Sequence, residues 1–176
     1  LAALFGCAIT TGFGVIENNA KLKIGESIVV FGAGGIGLNI IQAASLSSAW
    51  PIVAVDLYDS RLELAKKFGA THIINSSKFD PKEMVSKIMN GNSLDVFIDN
   101  TGLPEIIEMG YKMIGSKGRI ILVGVPRINS NINIYSYQIK EISNRILNKM
   151  NSHSFPVMSL NETIKNIKVV ESWINY

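Results

Sequence analysis

A single cysteine, Cys7, in 176 residues excludes an internal disulfide framework and suits a reducing compartment, the cytosol. No apolar run approaches the ~20 residues that span a bilayer, and the first residues lack the basic stretch and cleavage pattern of a secretory signal. A membrane partner is therefore not expected. Charge is sparse too, at 18% of residues, and the net +3 comes from scattered lysines. Without a basic run or an Arg/Lys stripe interleaved with aromatics, nucleic acid is set aside as a partner. Repeats, low-complexity tracts and an obvious linker are also missing. What is present is 47% hydrophobic, too apolar for disorder and long enough for one compact domain spanning 1–176.

The densest information lies in Ser-Ile-Val-Val-Phe-Gly-Ala-Gly-Gly-Ile-Gly, Ser27 to Gly37, where a buried-strand pattern runs into a glycine loop and then a helix. Gly32, Gly34 and Gly37 fit the spacing G-x-G-x-x-G. The first permits a tight turn, the second lets backbone approach a pyrophosphate, and the third lets the helix pack closely on the strand. The helix that follows presents unpaired N–H groups and a partial positive charge to that phosphate. Glycine spacing alone is a weak signal, and the context strengthens it. A second apolar strand, Ile52-Val53-Ala54-Val55, ends in Asp56, 19 residues after Gly37. A carboxylate at that strand tip can accept from both adenosine ribose hydroxyls and would repel a 2′-phosphate, favouring NAD over NADP. The plainer role for Asp56 is to cap the turn before the next helix.

Strands and helices alternate beyond this unit, which predicts a parallel sheet covered on both faces, an α/β doubly wound Rossmann-type fold. Residues 60–69 carry Leu62, Leu64, Ala65 and Phe68 on a helical stripe that stops at Gly69. A third strand is expected over 71–75, a helix over 81–89 and a fourth strand over 95–99. A helix over 103–114 follows, then a turn at Gly118 and a fifth strand over 119–123, closing at Gly124-Val125-Pro126. The rhythm then weakens. Ile132 and Ile134 alternate with polar Asn133 as in an edge strand, which could pair with a second copy in a homodimer or simply be shielded by its polar side chains. Residues 143–151 form an Asn- and Lys-rich helix or loop. Ser159 with Glu162 opens a final helix over 159–168. The stretch 136–176 is expected to be irregular or incomplete, with the sheet shortened at its C-terminal edge.

Gly6-Cys7-Ala8-Ile9-Thr10-Thr11-Gly12-Phe13-Gly14, then Lys23-Ile24-Gly25-Glu26, the glycine loop, Val55-Asp56, Phe68-Gly69-Ala70-Thr71 and Val123-Gly124-Val125 stand in an order that resembles the medium-chain, zinc-dependent alcohol dehydrogenase family. The resemblance runs from about Leu4 to Ile134. It implies an oxidoreductase that moves a hydride between a small-molecule alcohol or aldehyde and the nicotinamide of NAD, with zinc as Lewis acid. By the same resemblance Cys7 is a ligand of the catalytic zinc and Thr11 touches the nicotinamide ring. Val123 and Val125 read the carboxamide, and Gly32, Gly34, Gly35, Ile36, Gly37, Asp56, Arg61, Thr101 and Gly124 hold the rest of the cofactor. Each has a plainer reading: Cys7 as a small buried hydrophobe, Thr11 as a helix-start residue, the valines as core, Arg61 as a solvated helix face.

A catalytic zinc takes three protein ligands, and only Cys7 is visible; the family's remaining ligands lie in an N-terminal β-rich domain. The chain is accordingly expected to be a fragment, inactive by itself and active in a longer protein. His72 falls within the third strand, and His153 is expected on a surface or loop. The segment Ser154-Phe155-Pro156 follows Ile134 at a shorter distance than the family pattern has. Three other readings stay open: a standalone dinucleotide-binding module without catalysis, a member of the zinc-free quinone or enoyl reductase branch, which lacks a cysteine at the place of Cys7, and a methyltransferase using S-adenosylmethionine.

Overall fold

The computed structural model describes residues 5–126. Five strands form one parallel sheet in the order β3-β2-β1-β4-β5: β1 Ile28–Phe31, β2 Ile52–Asp56, β3 His72–Asn75, β4 Leu94–Asp99 and β5 Ile114–Leu122. This is the doubly wound order: all strands run parallel, and successive strands are added outward from β1 through β2 to β3 on one side and from β4 to β5 on the other. Continuous apolar strand sequence is what such a sheet requires, because both faces are covered. Side-chain alternation then divides the strands between two cores. Ile28, Val30, Ile52, Ala54, Val96 and Ile98 face one side, and Val29, Phe31, Val53, Val55 and Phe97 the other.

The first core is covered by an N-terminal helical stretch and two helices. That stretch runs as a π-helical turn Phe5–Ile9, a short α-helix α1 (Thr10–Gly14) and a second π-helical turn Val15–Ala20. Helix α2 (Gly35–Leu46) buries Ile40 and Ile41, and α3 (Asp59–Lys67) buries Leu62 and Ala65. The second core is covered by α4 (Pro81–Met89) through Val85 and Met89, and by α5 (Pro104–Met113) through Met109 and Met113. Asp80 caps α4 by accepting from the Lys82 amide at 2.8 Å, with Pro81 at the first helical position, where its missing N–H costs nothing. No helix among the described residues is long and apolar enough to cross a membrane.

Two local expectations are corrected. Leu64 is not on the inward stripe of α3: it is 43% exposed, because two residues past Leu62 a helix has rotated by about 200°. Gly118 does not make a turn. Helix α5 passes directly into β5, which pairs Leu94 with Ile114 and then Val96 with Arg119, so residues 115–118 form an irregular bulge within the strand. Any Cβ on Gly118 would lie 2.8 Å from the Leu94 carbonyl, and one on Gly115 2.6 Å from Ser93 Cβ, so the bulge lies flat on the start of β4 because both residues are glycine. The expected edge strand at Ile132 and Ile134, the segment 143–151, the helix over 159–168 and His153 lie outside the described residues.

Candidate dinucleotide crevice

A crevice of about 710 Å³ opens at the carboxyl ends of the strands, between the loops that follow β1, β2 and β4. Its size falls within the roughly 300–1,000 Å³ usual for small-molecule sites, and it lies where the strand order reverses, the position at which doubly wound sheets bind ligands. At its centre β1 ends at Phe31 and the chain turns at Gly32, whose φ of +91° suits glycine and few other residues. The turn is fixed by Gly32 N–H donating to the Val55 carbonyl at 2.8 Å. Helix α2 follows with no acidic residue in its first turn and no side chain capping it. Its first N–H groups lack intrahelical partners, and the residues that carry them, Gly35, Ile36 and Gly37, line the crevice.

Closeness and openness alternate along the glycine loop. A Cβ on Gly37 would lie 1.8 Å from the Gly32 carbonyl oxygen, so helix and turn are in contact through backbone alone. At Gly34 and Gly35 an added Cβ would meet nothing within 4 Å. Those two positions leave a backbone-lined hollow at the helix start, which a phosphate group could fill without displacing a side chain.

On the β2 side, Asp56 is 7% exposed and both of its carboxylate oxygens are engaged by backbone. Oδ2 accepts from Ala33 N–H at 2.8 Å and Oδ1 from Tyr58 N–H at 3.0 Å. The plain turn-capping role and a place at the crevice thus coincide in one residue. Each oxygen keeps a lone pair for a further donor. Arg61 Nη1 stands 3.6 Å from Asp56 Oδ2, with its guanidinium 4.9 Å above the Tyr58 ring, at a solvent-exposed rim. Beyond it, Asp59 accepts from Lys78 Nζ and from Asn75 Nδ2, each at 2.6 Å. The Lys78 hydrogen bond first, then that of Asn75, holds the Asp59 carboxyl below its usual value. This ties the loop after β3 to the first turn of α3 and braces the wall carrying Leu57 and Tyr58.

The opposite wall follows β4. Asp99, fully buried, accepts from the Thr101 amide at 2.8 Å, the Thr101 hydroxyl at 2.5 Å and the Gly102 amide at 2.9 Å. Its carbonyl also accepts from Val123 and Gly124 N–H, joining the loops after β4 and β5. Neither Asp99 nor Asn100 is singled out by sequence reasoning. The string Asp-Asn-Thr-Gly at a strand end is a turn signal that could have marked them.

Of the residues proposed from sequence, Gly32, Gly34, Gly35, Ile36, Gly37, Asp56, Arg61, Thr101, Val123 and Cys7 line the crevice. Thr11, on α1, Gly124 and Val125 are not among that lining, and Val125 is 88% exposed. The backbone hollow, the helix terminus and the strand-tip carboxylate fit a dinucleotide. The donor set does not fit a metal: Cys7 is an exposed free thiol, and no group of three His, Cys, Asp or Glu gathers among the described residues. One thiolate does not make a zinc site.

Comparison with known proteins adds an independent line. Residues 35–173 match the family model described as zinc-binding dehydrogenase. An S-(hydroxymethyl)glutathione dehydrogenase from a Synechocystis species is 35% identical over 138 residues, which cover 77% of this chain and 37% of that protein. An alcohol dehydrogenase class-3 from Cereibacter sphaeroides is 34% identical over 143 residues, covering 76% and 38% respectively. Among solved structures, the benzyl alcohol dehydrogenase from Acinetobacter calcoaceticus superposes with a TM-score of 0.70 at 38% identity, over 77% of this chain and 38% of its own. The chain thus spans little more than a third of the length of the relatives it matches.

Proposed function

Because the chain belongs to the zinc-binding dehydrogenase family, we propose that it is the NAD-binding portion of an oxidoreductase that moves a hydride between a small-molecule alcohol or aldehyde and nicotinamide. The observation that carries this reading is the glycine-lined hollow at the start of α2, placed beside a buried carboxylate at the tip of β2. When bound, NAD would supply the hydride acceptor. Everything the chain does in that reaction is positioning, which can account for much of the rate of a bimolecular step.

In this reading the α2 amides hold the diphosphate, and Asp56 takes the adenosine ribose while its two existing hydrogen bonds keep the carboxylate aimed. Arg61 and Tyr58 form the outer rim, and Thr101 and Val123 lie on the side toward nicotinamide. Thr11, Gly124 and Val125 would join the nicotinamide end once further parts of the protein close over it. Cys7, at the crevice mouth, is the chain's candidate metal ligand, with the other ligands to come from parts of a longer protein. An exposed thiol suits a reducing cytoplasm, and pairing of two copies through a sheet edge would make the assembly a homodimer.

Calorimetry with NADH, NADPH and S-adenosylmethionine tests the proposal. NADH alone should bind. Preference for NADPH would remove the ribose role of Asp56, and preference for S-adenosylmethionine would move the chain to group-transfer chemistry.

A further inference from the structure

Asn90 and Gly91 are the only Asn-Gly pair in the chain, and they stand in the link between helix α4 and strand β4. Asn90 ends α4 in the left-handed region, at φ +47°, its N–H donating to the Ser86 and Lys87 carbonyls at 3.2 and 3.3 Å. Gly91 follows at φ +85°. Asn90, Gly91 and Asn92 are all exposed, and a Cβ on Gly91 would meet nothing within 4 Å. The Gly91 N–H has no acceptor among the described residues. The next tie downstream is the Asn92 N–H, which donates to the Met89 carbonyl at 2.9 Å. A glycine amide that is neither shielded by a side chain nor engaged by a carbonyl therefore follows directly on an exposed primary amide.

We propose that Asn90 is a site of spontaneous deamidation in the folded chain, with water as the only co-reactant. At ψ +48° the Gly91 nitrogen stands opposite the Asn90 side chain, so the chain first rotates about the Asn90 Cα–C bond. The bond that this rotation releases is the exposed one between Asn92 and Met89, and loss of one such bond slows the reaction by no more than about tenfold. The Gly91 nitrogen then gives up its proton and bonds to Asn90 Cγ. The Cγ–Nδ2 bond breaks and ammonia leaves with that proton, closing a five-membered succinimide. Water opens the ring at either carbonyl, leaving aspartate, or isoaspartate with the main chain rerouted through the side-chain carbonyl. Nothing is oxidised or reduced. Both products place a carboxylate at the carbonyl end of α4, where the helix dipole disfavours negative charge, and isoaspartate also lengthens the link into β4 by a carbon. The crevice lies at the other, carboxyl ends of the strands, so the change falls on α4 and its connection rather than on the cofactor site.

The test incubates the chain at mildly alkaline pH, folded and in urea, and follows each asparagine by proteolytic mass mapping. The peptide carrying Asn90 should gain about 1 Da and split into two isomers, in the folded chain no more than about tenfold more slowly than in urea. Asn75, which is buried, and Asn100 should lag behind it in the folded chain. Asn90→Gln should remove the gain at that peptide, because the longer side chain closes a six-membered ring far more slowly. Suppression beyond that factor in the folded chain, or an earlier gain at another of the described asparagines, overturns the proposal. Both comparisons are made on the unsubstituted chain, so they decide it even if Asn90→Gln does not fold.

Discussion

Asp56 carries two loads that sequence reasoning treats as alternatives, a turn cap and a ligand contact. Removing its carboxylate strands the Ala33 and Tyr58 amides together. Asp56→Ala is therefore expected to cost about 2–3 kcal/mol in urea denaturation and also to weaken NADH and relax discrimination against NADPH. If discrimination holds while stability falls, Asp56 is a turn residue only. Its position was legible because a strand, a glycine loop, a helix and a second strand precede it in fixed order. Asp99 and Asn100 were not legible in that way. Their significance lies in which amides and carbonyls converge on them, from Phe31, Gly32, Thr101 and Gly102, and a linear string does not state that convergence.

Among the elements, α2 shows most directly how packing overrides local preference. Intrinsic propensity favours alanine over glycine in a helix by about 1 kcal/mol, so Gly37→Ala would stabilise an isolated α2. In the folded chain the new methyl would lie 1.8 Å from a carbonyl oxygen of the Gly32 turn, a backbone atom that cannot swing aside. Overpacking of this kind costs about 1–3 kcal/mol. Gly37→Ala should thus lower the denaturation midpoint and abolish NADH binding by pushing the helix start away from the turn. An unchanged or raised midpoint would show that the helix is not seated on the turn as described. Period and punctuation located most elements to within a residue or two. They failed at β5, where Gly118 reads as a turn signal yet serves a bulge, because the partner strand that accommodates it lies some twenty residues upstream.

For the whole molecule, the ends of the sheet opposite the crevice are tied by Glu26, just before β1, and Arg119 in β5, which pair across a separation of 93 residues. Burial by itself would raise the Glu26 carboxyl. The hydrogen bond from Arg119, the Lys23 amide and the two positive charges outweigh it and hold the group below its usual value of 4.5. A carboxyl depressed in the folded state contributes stability that is present above the unfolded value and is lost as pH falls through the folded one. Between neutral pH and about pH 3 the chain should lose stability more steeply than Arg119→Met does, in urea midpoints taken across that range. Equal slopes would remove the pair from the acid response. The sequence alone determined the fold class, the order of strands and helices, the glycine loop and the strand-tip acid, since these depend on periodicity and short-range spacing. Only the tertiary structure decided which side chains meet across the crevice and across the sheet, because Asn100 against Gly32 and Glu26 against Arg119 are contacts between distant segments, set by packing.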